Sequence, residues 1–242
     1  MRVNLIIDIG NTLTKLALYA GGNMTQLWSL EEVTVEWLKD ALAGYDCQQS
    51  IVSSTKHLPS WIEWLRSYLP CVEILHADMR LPFVVGYDDP STIGQDRVAA
   101  MAGACSLKPD GAFLVIDIGT CVTYDYVDAT RHHHGGSISP GLSMRFDALH
   151  EHTDRLPLVA NKDEVERFGT NTAAAIRSGV VAGLTYELEG YIASMKANVP
   201  GLLVFLAGGD GYYFAERLKY STFVDPYLVM RGLDYILKYN AK

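Results

Sequence analysis

The sequence predicts an α/β fold of two related domains, residues 1–110 and 111–242, each a mixed sheet flanked by helices. Three observations carry this. The stretch NLIIDIGNTLTK (4–15) is echoed by FLVIDIGTCVTY (113–124), so a unit of strand, Asp-Ile-Gly turn and strand occurs twice. Short apolar runs of strand length alternate with segments whose apolar residues recur at helical spacing. No Pro/Ser-rich linker or low-complexity tract interrupts the chain, and the repeat itself places the boundary near residue 110.

Residues 3–8, apolar but for Asn4 and ending in Asp8, read as a buried strand. Gly10-Asn11 is a turn, LTKLALYA a second strand, and Gly21-Gly22-Asn23 another turn, so the chain opens with a β-hairpin. EEVTVEWLKDALAGY reads as a helix, QQSIVSST as a short strand and PSWIEWLRSYL as a helix. After the polar turn GYDDPSTIGQDR, the small and apolar residues of VAAMAGACSL predict a helix whose first turn holds Asp96 and Arg97. The second half repeats the opening. It continues through GGSISPG, a long helix around NTAAAIRSGVVAGLTYELEGYIASM, the strand LLVFLA, the turn GGDG and the helix YYFAERL.

With 242 residues, 49% of them apolar, the chain can bury a large core. The formal charge of −8 supplies no general electrostatic footprint for nucleic acid or an anionic membrane. Cys47, Cys71, Cys105 and Cys121 are scattered without a CxxC pair, as expected of reduced thiols in a cytoplasmic protein. No run approaches the roughly 18 apolar residues of a membrane span, and Asp8 interrupts the first apolar run too early for a signal peptide.

An Asp at the end of a buried strand is costly unless something pairs with it, and this chain places one there twice. The glycine of each turn permits close backbone approach to a ligand, and Asn11, Thr12 and Thr14, or Thr120 and Thr123, supply donors suited to phosphate oxygens. The carboxylates repel phosphate, so their natural part is to hold a cation between carboxylate and phosphate. One Asp-x-Gly alone is an ordinary hairpin turn; two copies with hydroxyls and a later strand-GGDG-helix unit point to polyphosphate.

Other conspicuous residues take structural readings. His132-His133-His134 falls in a predicted solvated hairpin turn, where neighbouring side chains diverge too much for a metal site. His150 and His152 belong to a polar surface segment, and Trp61 and Trp64 to packing at helical spacing.

Taken in order, DIGNT (8–12), GYDDPSTIGQDR (86–97), DIGTCVTYD (117–125), GGSISPG (135–141), GTNTAAAIRSG (169–179), AGGDG (207–211) and LVMRGL (228–233) resemble the actin, Hsp70 and sugar-kinase superfamily, and within it type III pantothenate kinase. The resemblance implies two ribonuclease H-like, actin-like ATPase domains. It also implies ATP-dependent phosphorylation of pantothenate to 4'-phosphopantothenate by in-line transfer, the first step of coenzyme A biosynthesis. On this resemblance Asp8, Ile9, Gly10, Asn11, Thr12, Leu13, Thr14 and Lys15 form the first ATP phosphate loop. Thr120 is an ATP contact in the second loop, and Gly208, Gly209 and Asp210 belong to the adenosine motif. Asp117 holds a monovalent cation, potassium or ammonium, used beside the Mg2+ that accompanies ATP. Tyr87, Gly94, Gln95, Asp96 and Arg97 form the pantothenate pocket with Asp96 as base, and Thr172 contacts pantothenate across a homodimer interface. Cys121 stands where the family pattern has Ala, a small apolar change.

Two other readings remain open on the residues alone: a non-catalytic transcription accessory protein of the same fold, and a different phosphotransferase or phosphatase of the superfamily. Asp8, Asp96, Arg97, Asp117 and Thr172 favour catalysis, and the Gly-x-Asp-Arg segment argues against a sugar substrate.

Overall fold

The computed structural model describes residues 2–159 and 165–241. It contains two five-stranded sheets. The first is built from β1 (Arg2–Ile9), β2 (Thr14–Ala20), β3 (Asn23–Leu30), β4 (Asp46–Ser54) and β5 (Cys71–Ile74), in the order β3-β2-β1-β4-β5. β2 runs antiparallel to β1 and β3, whereas β4 runs parallel to β1 and β5. Between the strands lie α1 (Val35–Leu42), α2 (Trp61–Tyr68) and α3 (Gln95–Leu107).

The second sheet is built from β6 (Phe113–Ile118), β7 (Cys121–Val127), β8 (His133–Pro140), β9 (Leu203–Ala207) and β10 (Phe223–Val224). Its order, β10-β9-β6-β7-β8, is the first sheet's order in the corresponding strands, with β7 antiparallel and β9 parallel to β6. This repeated order, with a mixed sheet flanked by helices, makes each unit ribonuclease H-like. Its helices are α4 (Leu142–Glu151), α5 (Thr172–Arg177), α6 (Gly183–Asn198) and α7 (Gly211–Ala215). A single π-turn, Ser178–Ala182, joins α5 to α6 in one helical run.

β1 is buried on both faces because its apolar residues do not alternate. Val3, Leu5, Ile7 and Ile9 join Leu16, Leu18, Leu38 and Leu65 in one core. α1 starts where Thr34 accepts the Trp37 N–H at 3.2 Å, a side-chain N-cap.

The last helix, α8 (Leu228–Asn240), packs along α3. Small residues allow this. A Cβ on Gly232 would fall 1.7 Å from the Ala99 carbonyl oxygen, and one on Gly103 would fall 2.3 Å from that of Leu228. One compact unit accordingly comprises the chain up to Asp110, the short segment Arg131–Gly135 and the chain from Tyr227 onward; the other comprises Gly111–Thr130 and Gly136–Pro226. The division is therefore discontinuous in sequence, in contrast to the expected 1–110 and 111–242.

Two local expectations need correction. The run MTQLWSL forms β3, which sequence reading left unassigned because only its pairing with β2 defines it. The three histidines do not occupy a solvated turn: the turn lies at 129–131, with Arg131 at φ 67°, and His133 opens β8 with 0% of its surface exposed. Its backbone N–H donates to Val84 O at 2.9 Å, which fixes the segment against residues 84–87.

Candidate active site

In the first unit, the site grows from the end of β1. Asp8 pairs with Lys15 on β2 and with Ser53 on β4, so these three side chains share one face of the sheet. Asp8 is only 9% exposed, and Ser53 Oγ donates to its Oδ1 at 2.6 Å. Burial pushes its carboxyl above the usual range, and the nearby charge of Asp96 pushes the same way; the Ser53 bond and the charge of Lys15 only partly offset this. Thr14 is one residue off this alternation. It lies buried on the opposite face with Leu16, whereas Asn11, Thr12 and Leu13 are exposed in the turn. Gly10 N–H donates to Leu13 O at 3.0 Å and closes that turn.

The segment before α3 brings the second carboxylate to the same place. Gln95 Oε1 accepts the Ser54 N–H at 2.8 Å, tying the start of α3 to the end of β4 beside Ser53. Asp96 stands in the first turn of α3, where the helix N-terminus favours negative charge, and its Oδ1 accepts the Arg97 N–H at 2.9 Å. Gly94 leaves room for that carboxylate, since a Cβ would fall 2.5 Å from Asp96 Oδ1 and displace it.

Arg97 is 5% exposed, and its Nη1 donates to Tyr87 Oη at 2.6 Å. Tyr87 in turn stacks on His133, with ring centroids 5.7 Å apart and planes 19° from parallel. Gly86 lets this segment lie flat on the histidine, since a Cβ would meet His133 O at 1.8 Å. Asp8, Lys15, Gln95, Asp96, Arg97 and Tyr87 are thus gathered within one unit. Sequence reasoning missed Ser53 and His133. Ser53 was legible only as the end of a strand, and His133 was hidden among three identical neighbours.

The second unit builds the matching end of β6. Asp117 pairs with Thr123 on β7 and Ala207 on β9, the counterpart of the Asp8 position. Gly208 takes a φ of 80°, and a Cβ there would fall 2.4 Å from Ile118 O and 2.7 Å from Asp117 Oδ1. Asp210 N–H then donates to Ile118 O at 3.1 Å, so the Gly208-Gly209-Asp210 turn lies directly against Asp117. On the other side, Gly141 N–H donates to Thr120 O at 3.0 Å. The Gly119-Thr120 turn is two residues shorter than its counterpart at 10–13, and Gly119 N–H closes it on Cys121 O at 3.0 Å.

Thr172 belongs to a different part of this unit. It opens α5 behind Asn171, whose Oδ1 caps the helix by accepting the Ala174 N–H at 3.0 Å. Thr172 is exposed on the wall of an open depression of about 530 Å3, which Thr170, Leu149, Leu156 and Ile176 also line.

Two like-charged carboxylates within electrostatic reach of one another, one of them buried, suit a divalent cation completed by phosphate and water oxygens. Among the described residues, no group of three or more His, Cys, Asp or Glu side chains is arranged to hold a metal by itself. No described helix is long and apolar enough to cross a membrane.

Residues 4–194 match the family model of type III pantothenate kinase. The chain is 43% identical to the type III pantothenate kinase of Phocaeicola vulgatus, over 99% of this chain and 100% of that one. It is 35% identical to that of Cytophaga hutchinsonii, again over 99% and 100%. Among solved structures, a protein from Campylobacter jejuni described as a Baf family transcriptional activator aligns over 98% of both chains, with a TM-score of 0.63 at 23% identity. A protein from Sinorhizobium meliloti described as a 2-dehydro-3-deoxygalactonokinase aligns over 98% and 96%, with a TM-score of 0.61 at 17% identity. At these identities the two structures establish the shared fold alone.

Proposed function

The chain belongs to the type III pantothenate kinase family, and on that premise we propose that it transfers the γ-phosphoryl group of ATP in line to the hydroxyl of pantothenate, with Asp96 as base, giving 4'-phosphopantothenate. It is a kinase of coenzyme A biosynthesis. The observation that carries the finer reading is that Asp8, at the end of β1, and Asp96, in the first turn of α3, come within electrostatic reach of one another, with Gln95 tying the start of α3 to the end of β4.

Phosphoryl transfer to an alcohol demands positioning, neutralisation of phosphate charge and a carboxylate to accept the hydroxyl proton. Asp96 has the position for the last. The helix N-terminus and the Arg97 N–H stabilise its negative charge, and Gly94 leaves its carboxylate room. Arg97 holds Tyr87, and the pair with Gly94 and Gln95 forms the wall against which pantothenate is placed; Thr172 supplies a contact from a partner subunit. Nucleotide contacts fall to Asp8–Lys15 in the first unit, and to Thr120 and Gly208–Asp210 in the second. Mg2+ bound with ATP would be held on the side of Asp8 and offset phosphate charge. Asp117 would hold potassium or ammonium.

Homodimer formation draws support from the second unit's long helix. It exposes Tyr186 (58%) and Tyr191 (37%) beside Gly179, Gly183 and Gly190, where an added Cβ would meet nothing within 4 Å outside the helix itself. Light scattering of the purified protein should give twice the chain mass; a monodisperse, fully active monomer would exclude a Thr172 contribution from a partner.

ADP release with pantothenate and with a panel of sugars tests the reaction, with mass spectrometry of the product. Turnover should require pantothenate, and Asp96→Asn should lower kcat by roughly 10²-fold or more while the protein still melts cooperatively. Sodium in place of potassium should depress the parent strongly and Asp117→Asn hardly at all. Parental turnover by a folded Asp96→Asn protein would remove Asp96 as the base, and equal parental rates in the two salts would remove the cation role of Asp117.

A further inference from the structure

The second unit contains a polar network that the reaction as proposed does not use. Glu187, on α6, accepts three hydrogen bonds from three different elements: Tyr124 Oη of β7 donates to its Oε1 at 2.7 Å, Ser139 Oγ of β8 to Oε1 at 2.5 Å, and Arg145 Nη2 of α4 to Oε2 at 2.6 Å. Arg145 also donates through Nε to Pro140 O at 2.8 Å and through Nη2 to Ser139 Oγ at 3.2 Å. Glu187 and Arg145 are both largely covered, with side chains 25% and 22% exposed. Tyr124 is pinned from the other side by Tyr191, with ring centroids 3.9 Å apart.

What this network grips is the segment Ser139-Pro140-Gly141. That segment is the floor of the Gly119-Thr120 turn. Gly141 N–H donates to Thr120 O, and a Cβ on Gly141 would lie 2.2 Å from Gly119 O and 2.4 Å from Thr120 O, so backbone rests directly on backbone. A shift of residues 139–141 is therefore transmitted to the turn without slack. Tyr124, four residues past Thr120 on β7, fixes the strand on the turn's far side to the same carboxylate.

Resting on the ATP assignment of Thr120 above, we propose that Glu187 and Arg145 are positioning residues for the second phosphate turn, holding Gly119-Thr120 in its nucleotide-binding geometry through Ser139–Gly141. Their action runs through Ser139–Gly141 and not through contact with the nucleotide. Burial acts to raise the Glu187 carboxyl, but the bonds from Ser139, Arg145 and Tyr124 and the charge of Arg145 together outweigh it, so its pKa lies below the usual value. Its folded-state value being depressed, the carboxylate's contribution is fully present above the ordinary carboxylate value and is lost as pH falls from there through the lower folded value. The Glu187 carboxylate is therefore ionised at neutral pH.

The test is a double-mutant cycle on the intact protein: parent, Glu187→Gln, Arg145→Gln and the double variant, each titrated with Mg-ATP for its Kd and assayed for both KM values, kcat and Tm. Glu187→Gln keeps size but turns one accepting oxygen into a donor facing Arg145. We expect the Kd for ATP to rise about tenfold or more in each single variant, as loss of a charged hydrogen bond implies, with KM for pantothenate nearly constant. The double variant should be no worse than the singles. An ATP Kd within twofold of the parent in a folded Glu187→Gln protein, or effects that multiply in the double variant, would overturn the proposal. Should the Gln variants fail to melt cooperatively, Tyr124→Phe, which removes one bond of the three, must still raise the Kd about threefold, and no change would count against the clamp. A parent that neither binds nor consumes ATP would instead sink the functional reading on which the clamp rests.

Discussion

Replacing Gly94 by alanine isolates the placement of Asp96 from its chemistry. The backbone at this position has φ −58° and ψ 132°, values that alanine adopts freely, so the substitution introduces no backbone strain. The added Cβ would stand 2.5 Å from Asp96 Oδ1, about 0.9 Å inside an ordinary contact of roughly 3.4 Å, and its other neighbours, Asp96 Cγ and Arg97 Cδ, are 3.7 Å away. The only atom that must move is the carboxylate oxygen, at the free end of its side chain. A displacement on the order of 1 Å in a reacting group costs about 10²-fold in rate, or roughly 2.7 kcal/mol of transition-state stabilisation. The fold should be unharmed or slightly more stable, since Gly to Ala at a compatible site gains about 0.4–1 kcal/mol through the unfolded state. Steady-state kinetics beside a thermal melt would show kcat down about 100-fold with Tm equal to or above the parent's. A kcat within threefold of the parent would refute the assignment of Asp96 as base or the tight fit of Gly94 against it, and a collapsed Tm would refute the claim that only the side chain moves.

Asp8→Asn should inactivate the enzyme and yet raise its melting temperature at pH 7.5. Because the folded-state pKa of Asp8 is raised, stability falls as pH rises from the ordinary carboxylate value through the folded one and stays lower above it. The advantage of the variant should therefore shrink as melts are repeated towards pH 4, and a variant less stable than the parent at neutral pH would contradict the direction of the shift. Gly232→Ala should destabilise by about 3 kcal/mol through overpacking, because its Cβ would lie 1.7 Å from Ala99 O and 2.7 Å from Gly103 N, both backbone atoms that cannot swing aside. Calorimetry should show a Tm lower by roughly 6–12 °C; a loss under 2 °C would mean that α3 and α8 are not locked together.

The sequence by itself determined the local architecture and the repeat. Unbroken apolar runs ending in Asp-Ile-Gly at 8–10 and 117–119 dictate two buried strands feeding tight turns, and the period of the apolar residues separates helix from strand along most of the chain. Asp8 and Asp117 stand out because a charge at the end of a buried strand is costly without a purpose, whereas Tyr87, Asp96 and Arg97 are marked only by the resemblance of GYDDPSTIGQDR to type III pantothenate kinase. Tertiary structure decided everything that depends on which strand pairs with which. Ser53 becomes the partner of Asp8 only through the parallel register of β1 and β4, and β3 exists only because β2 offers it an edge. His133 is distinguished from His132 and His134 by its residue-wise alternation into the interior beneath Tyr87. Glu187 resembles any helical glutamate until Tyr124, Ser139 and Arg145 converge on it from three other elements. α8 joins the first unit because glycines at 103 and 232 let two helices approach to backbone contact. The common physical reason is range: side-chain periodicity and turn chemistry act within a few residues along the chain, whereas hydrogen-bond partners, burial of a charge and close helix contacts are set by residues tens to hundreds of positions apart, brought together only when the sheets form.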